Sequence, residues 1–379
     1  NNRFLKTINL FKMSFDFEKF ANAIENGLKG NCVGYAFVVS YKDNWKVKRA
    51  GGYARTLINT PPLEMSTNVQ FHTASVSKAI TAVALLKVLN QRQDVSLDSL
   101  FYKFLPSHWR IHQSLKYKDN DKKINFQRLL THKSGFRFDG GLDYHALKKD
   151  MAAGVNESNI GNNNDKNGYQ GENFAIMRLL IPKLAGYSIS QNEDGGPGID
   201  ILQAAEYADY YMDYVQKHLF EKAGLPLLKC KAEVMKTGMC YHFPHNNKPG
   251  TDFGNQTLVC GSKGWVMSAA ELAKFFRTVH YTEAILPAWL SDKMKDELLG
   301  YGQKGETAES VGFYCKNGKF PRSQNDGELN TLIIGYANHV QVALIINSEL
   351  TGNKGMVEII NAAHDEAYKM KKNNVDDLK

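Results

Sequence analysis

Phe71-His72-Thr73-Ala74-Ser75-Val76-Ser77-Lys78, followed by the apolar run Ala79 to Leu89, is the stretch on which the reading of this chain turns. A serine hydroxyl is a poor nucleophile at neutral pH and needs a base within hydrogen-bond reach. Residues three apart on a helix lie one above the other, so a helix over residues 75–90 sets the Lys78 amine beside the Ser75 hydroxyl. The apolar residues behind it bury such a helix, and desolvation penalises an ammonium, lowering its pKa toward that of a working base. A helix cap followed by a solvated lysine has the same four-residue pattern, so the choice between the two rests on the rest of the sequence.

The chain has 379 residues, 43% of them hydrophobic and 23% charged, enough for a sizeable core in one large or two interleaved domains. Its net charge of +8 comes from scattered lysines and arginines, the tightest late cluster being Lys369, Lys371 and Lys372. With no basic stripe and no interleaved aromatics, no nucleic-acid partner is expected. Cys32, Cys230, Cys240, Cys260 and Cys315 form no Cys-x-x-Cys pair and no zinc spacing, so neither a metal nor another cofactor is expected. Cys230 and Cys240 are the two that an oxidising compartment would join. No apolar stretch is long enough for a membrane span, since Ala79 to Leu89 is short and contains Lys87. Met13-Ser14-Phe15 reads as a native start, with residues 1–14 as a leader or tail. Cellular location and oligomeric state stay open.

Residues 15–29 read as an amphipathic helix. Val33 to Tyr41 and Trp45 to Tyr53 are β-rich runs joined by the hairpin signal Lys42-Asp43-Asn44, and Asn330 to Tyr336 and Val340 to Asn347 repeat the pattern across Ala337-Asn338-His339. Helical patterns fill the middle, at 76–91, 125–131, 172–186, 203–223 and 269–280, and a terminal helix spans about 355–371. The expected fold is mixed α/β (α+β): an antiparallel sheet flanked by N- and C-terminal helices, built from 15–70 plus 262–379, with a mostly helical domain of 71–261 inserted and the active site at the junction. Residues 139–168, with Asn156, Asn159, Asn162, Asn163, Asn164 and Asp165, and residues 188–200, with Gly195, Gly196, Pro197 and Gly198, read as loops. The first is either a mobile rim of the cleft or surface decoration.

Further motifs follow the first in order. They are Leu129-Leu130-Thr131-His132-Lys133-Ser134-Gly135-Phe136, then Tyr214-Val215-Gln216-Lys217-His218-Leu219-Phe220 ending at Gly224-Leu225, then Trp265-Val266-Met267-Ser268-Ala269 with Leu272. Together with the first motif they resemble the serine penicillin-recognising enzymes, in the branch of class C β-lactamases, D,D-carboxypeptidases and related esterases. The resemblance covers residues 17–365. It implies Tyr169-Gln170-Gly171, ahead of a helix, as the family's Y-x-N motif. Tyr169 would then pass the serine proton on, unless it is only an aromatic packed under a loop. Gly171 stands where the family offers a substrate-binding amide.

The third motif, K-T-G or H-x-G, has three candidates. Asn325-Asp326-Gly327 lies just before the last hairpin, Arg322-Ser323 would supply a cation and a hydroxyl, and Lys316-Asn317-Gly318 is closer by letter but reads as a turn. The first choice puts a backbone N–H after Gly327, near Glu328, with the Ser75 N–H in an oxyanion hole. His132 reads as a loop residue holding its own turn. The expected activity is that of a serine hydrolase acting through an acyl-enzyme on a small ester, amide or peptide, with Ser75, Lys78 and Tyr169 catalytic. A non-catalytic binding module and an acyltransferase are the alternatives.

Overall fold

The computed structural model describes residues 15–106, 109, 119–136, 141–161, 168–189, 197–233, 236–244, 248–321, 323 and 326–369. The reading of 1–14, and with it Met13 and Ser14, lies outside these residues, as do Asn162 to Asp165, Gly195, Gly196, Arg322, Asn325, Lys371 and Lys372.

In chain order the strands are β1 (Gly34–Tyr41), β2 (Asn44–Arg55), β3 (Leu63–Glu64), β4 (Gln70–His72), β5 (Val266–Ser268), β6 (Gln303–Glu306), β7 (Gly312–Phe320), β8 (Leu329–Tyr336) and β9 (Val340–Ile346). The helices are α1 (Phe17–Leu28), α2 (Ser77–Asn90), α3 (Phe126–Leu130), α4 (Tyr144–Ala153), α5 (Glu172–Ala175), α6 (Met177–Leu184), α7 (Pro197–Val215), α8 (Ala269–Tyr281), α9 (Ala288–Asp296) and α10 (Met356–Lys369). Seven strands form an antiparallel sheet in the order β3-β2-β1-β9-β8-β7-β6, and β4 pairs with β5 apart from it. The fold is the mixed α/β arrangement of a large antiparallel sheet with helices that the sequence leads one to expect.

Strand alternation builds two cores from one sheet. Val340, Val342, Leu344 and Ile346 of β9 face one side, where they meet Phe20 and Ile24 of α1 and Ile360 and Ala363 of α10. Ala343 and Ile345 face the other and join the larger core around α2. Helix α8 closes that side over β1 and β9, its start fixed by a capping box between Ser268 and Glu271. Helix α2 has no polar stripe: residues Ser77 to Leu86 are buried all round, as a helix that is apolar on every side must be.

Several expectations need correcting. The 139–168 stretch is not only loop: Asp143 accepts the Ala146 N–H at 2.9 Å and starts α4. The 188–200 loop ends early, because α7 begins at Pro197, a residue whose missing N–H suits a helix start. The 172–186 helix is split into α5 and α6. The Cys230–Cys240 pairing does not form. All five cysteines are free and buried, and the Cys230 thiol lies near that of Cys260 instead. Among the described residues no helix is long and apolar enough to cross a membrane.

Candidate active site

Ser75 sits in a single 3-10 turn, Ala74–Val76, that leads into α2. The turn is held from distant parts of the chain. The Thr73 N–H donates to the Trp265 carbonyl at 2.7 Å, and the Thr331 hydroxyl of β8 donates to the Thr73 carbonyl at 2.8 Å. Ala74 has φ +45°, a left-handed conformation that costs a non-glycine residue roughly 1–2 kcal/mol and persists only where the surroundings enforce it. Ser75 is partly exposed while Lys78 is buried, so the hydroxyl is open to a substrate and the amine is not.

The Lys78 Nζ lies 3.0 Å from Ser75 Oγ and 2.9 Å from the Ser262 carbonyl oxygen. Burial lowers the Lys78 pKa well below the usual lysine value; the Lys316 and Lys263 cations push the same way and the Glu172 carboxylate opposes. In its neutral form the amine donates to Ser262 and turns its lone pair to the Ser75 O–H.

Tyr169 completes the cluster. The residue is 51% exposed, but its hydroxyl meets the buried Lys316 amine. That oxygen accepts from Lys316 Nζ at 3.2 Å and lies near the Ser75 hydroxyl, while burial raises the phenol to about 12. Both amines lie over the ring, Lys316 at 4.6 Å and Lys78 at 5.3 Å from its centroid. His132, at φ +57°, packs its ring 4.3 Å from that of Tyr169, and its Nδ1 accepts the Gln170 N–H at 3.2 Å. Burial and the two lysine cations hold His132 at about 3, so it is neutral and braces the Tyr169 segment as well as its own turn.

The third-motif reading changes. Lys316-Asn317-Gly318 lies inside β7, not in a turn, and β7 brings Lys316 to the site. Burial lowers the Lys316 pKa to about 8. Gly318 crosses directly beneath the turn that carries Ser75. A Cβ there would stand 2.4 Å from Thr331 Oγ1, 2.6 Å from the Thr73 carbonyl and 2.8 Å from Ser75 N.

The Gly312 carbonyl accepts from Ala337 beyond β8, and the Cys315 carbonyl accepts from Gly302 on the β6 side. Alternation along the strand therefore turns the Lys319 N–H to the β6 side, past the end of β6. This puts a backbone donor on the open edge next to Gly318.

The first-choice residues are placed elsewhere. Gly327 donates its N–H to Thr251 Oγ1 at 3.1 Å, and the Glu328 N–H is taken by the Tyr241 carbonyl at 3.1 Å, so it is not free for an oxyanion. The Glu328 carboxylate pairs with Lys319 at 2.8 Å. Arg322 and Asn325 lie outside the described residues. Gly318→Ala is expected to cost about 1–3 kcal/mol by overpacking, read as a lower melting temperature, and to displace the Ser75 N–H.

Residues 20–313 match the family model described as Beta-lactamase. The chain belongs to the β-lactamase family, whose fold is that of serine hydrolases. The match stops before Lys316. A search of curated proteins finds no match.

Solved structures with the same fold include the D-amino acid amidase from Ochrobactrum anthropi SV3, complexed with L-phenylalanine (TM-score 0.66, 16% identity, covering 94% of this chain and 99% of that one). The class C β-lactamase from Rhodobacter sphaeroides is similar at TM-score 0.63 and 14% identity, covering 92% and 98%. So is the β-lactamase/D-alanine carboxypeptidase from Yersinia pestis, complexed with citrate, at TM-score 0.65 and 14% identity, covering 93% and 97%. At these identities the likeness is one of fold.

Proposed function

We propose that the protein is a serine hydrolase that forms an acyl-enzyme on Ser75 from an ester or small amide. The observation that carries this reading is the desolvated Lys78 amine 3.0 Å from the hydroxyl of the partly exposed Ser75. Ser75 Oγ attacks the substrate carbonyl carbon and its proton passes to Lys78 Nζ. The carbonyl oxygen, now negative, is received by the N–H groups of Ser75 and Lys319. On collapse the bond to the leaving alcohol or amine breaks, and that group takes a proton from the Tyr169 hydroxyl, whose oxygen is reprotonated once the Lys78 ammonium turns from Ser75 Oγ toward it. The Lys316 cation stabilises the phenol oxygen as it gives its proton up. Water then attacks the acyl carbon by the reverse route, restoring Ser75.

Gly171 offers no side-chain amide to a substrate, which favours esters and small amides over peptides and β-lactams. The test is labelling with a fluorophosphonate probe. The parent chain is expected to carry one probe per chain and Ser75→Ala none. Equal labelling of the two would show that the nucleophile lies elsewhere.

A further inference from the structure

The site described above uses Ser262 through its carbonyl. Its hydroxyl is also buried, at 0% exposure, and among the described residues Oγ has no hydrogen-bond partner. Unpaired buried hydroxyls are costly and rare, so one beside a reacting group calls for a role.

The surroundings of Gly171 locate it. A point one Cβ bond out from Gly171 lies 3.0 Å from Ser262 Oγ, 3.7 Å from Lys78 Nζ and 3.3 Å from Leu142 Cδ2. The hydroxyl and the amine thus face the same small space, which Leu142 roofs with an apolar side chain. Any larger residue at 171 would press on the hydroxyl.

The chemistry of Lys78 supplies the role. A neutral amine has two N–H bonds and a lone pair. Once it takes the Ser75 proton it has three N–H bonds, and among the described residues two neighbours, Ser75 Oγ and the Ser262 carbonyl, are placed to accept. We propose that Ser262 is a positioning residue whose hydroxyl turns to accept the third N–H of the Lys78 ammonium. The inference rests on the reading of Lys78 as the base. Ser262 then grips the lysine twice, by its carbonyl throughout and by its hydroxyl only while the lysine is charged, so it favours the transition state over the resting state.

The other groups facing Lys78 do not take this place. Lys316 from β7 and Lys263 repel the charge, and Glu172 from α5 attracts it. Tyr169 meets it with its ring, and neutral His132 lies beyond that ring.

The experiment follows the Lys78 13Cε resonance against pH in the parent, Ser262→Ala and Ser262→Thr, alongside kcat/KM for p-nitrophenyl acetate. Loss of an acceptor for the ammonium is expected to move the Lys78 titration, and the acid limb of kcat/KM, about one pH unit lower in the alanine variant. Its plateau rate is expected to fall about tenfold. Threonine, which keeps the hydroxyl, is expected to retain the parent midpoint. An alanine variant that melts as a folded protein and titrates with the parent midpoint overturns the proposal. A parent chain that hydrolyses no ester overturns the hydrolase reading instead, and the resonance midpoints still decide the question of Ser262.

Discussion

Replacing Lys78 by methionine is expected to lower kcat/KM for p-nitrophenyl esters by about a hundredfold to ten-thousandfold, the range that a positioned general base supplies. Methionine keeps the length and apolar stem of the side chain and removes the one group within reach of Ser75 Oγ that burial keeps ready to accept its proton. In the parent, kcat/KM rises with pH as the ammonium gives way to the amine. This acid limb falls below the ordinary lysine range, because burial and the Lys316 cation outweigh the attraction of Glu172. The methionine variant is expected to lose that limb and keep only a slow rate that climbs with hydroxide. Its melting temperature is expected to hold or rise, since a buried amine has been replaced by an apolar group. A variant within tenfold of the parent rate would remove Lys78 from the mechanism.

Lys316→Met is expected to make the protein more stable at neutral pH and less active. Burial lowers the Lys316 pKa from 10.5 to about 8, worth about 3 kcal/mol at roughly 1.4 kcal/mol per factor of ten. The sign follows from proton binding. Below pH 8 the folded and unfolded chains both hold the proton, and the folded chain bears the full cost. Between pH 8 and 10.5 the folded chain has released it and the unfolded chain has not, so stability rises with pH. The methionine variant lacks this rise. Its advantage should be about 3 kcal/mol at pH 7, seen as a melting temperature several degrees higher, and should vanish near pH 10.5. Activity should fall because the Tyr169 oxygen loses its cationic donor. Parallel stability curves for the two proteins across that range would show that Lys316 is not held as a buried charge.

The parts of this fold that were legible in the sequence are those where local pattern and tertiary burial agree. The two hairpins read correctly because Lys42-Asp43-Asn44 and Ala337-Asn338-His339 break continuous β-rich runs. The helix behind the first motif was legible because a helix with no polar face can only be a central one. The segment Lys316-Asn317-Gly318, read as a turn, misled for the opposite reason. Asn317-Gly318 is a strong turn signal by propensity, yet pairing with Leu332 and Thr331 of β8 holds it extended. Its glycine answers the close approach of Ser75 N, not a bend. That requirement is created by residues some 240 positions upstream, so no local pattern records it. Helix α4 was hidden by its asparagine-rich surroundings, although Asp143 and the spacing of Tyr144, Leu147 and Met151 carried the signal.

Ser75 owes its setting to the Trp265 carbonyl, the Ser262 carbonyl, Gly318 and Thr331, all of which follow it in sequence by well over a hundred residues. During synthesis the serine therefore emerges without this setting, and lacks it until the late hairpin has docked. Under the proposed mechanism, reactivity at this one hydroxyl is a readout of complete folding, and a chain halted before β8 cannot form the acyl-enzyme.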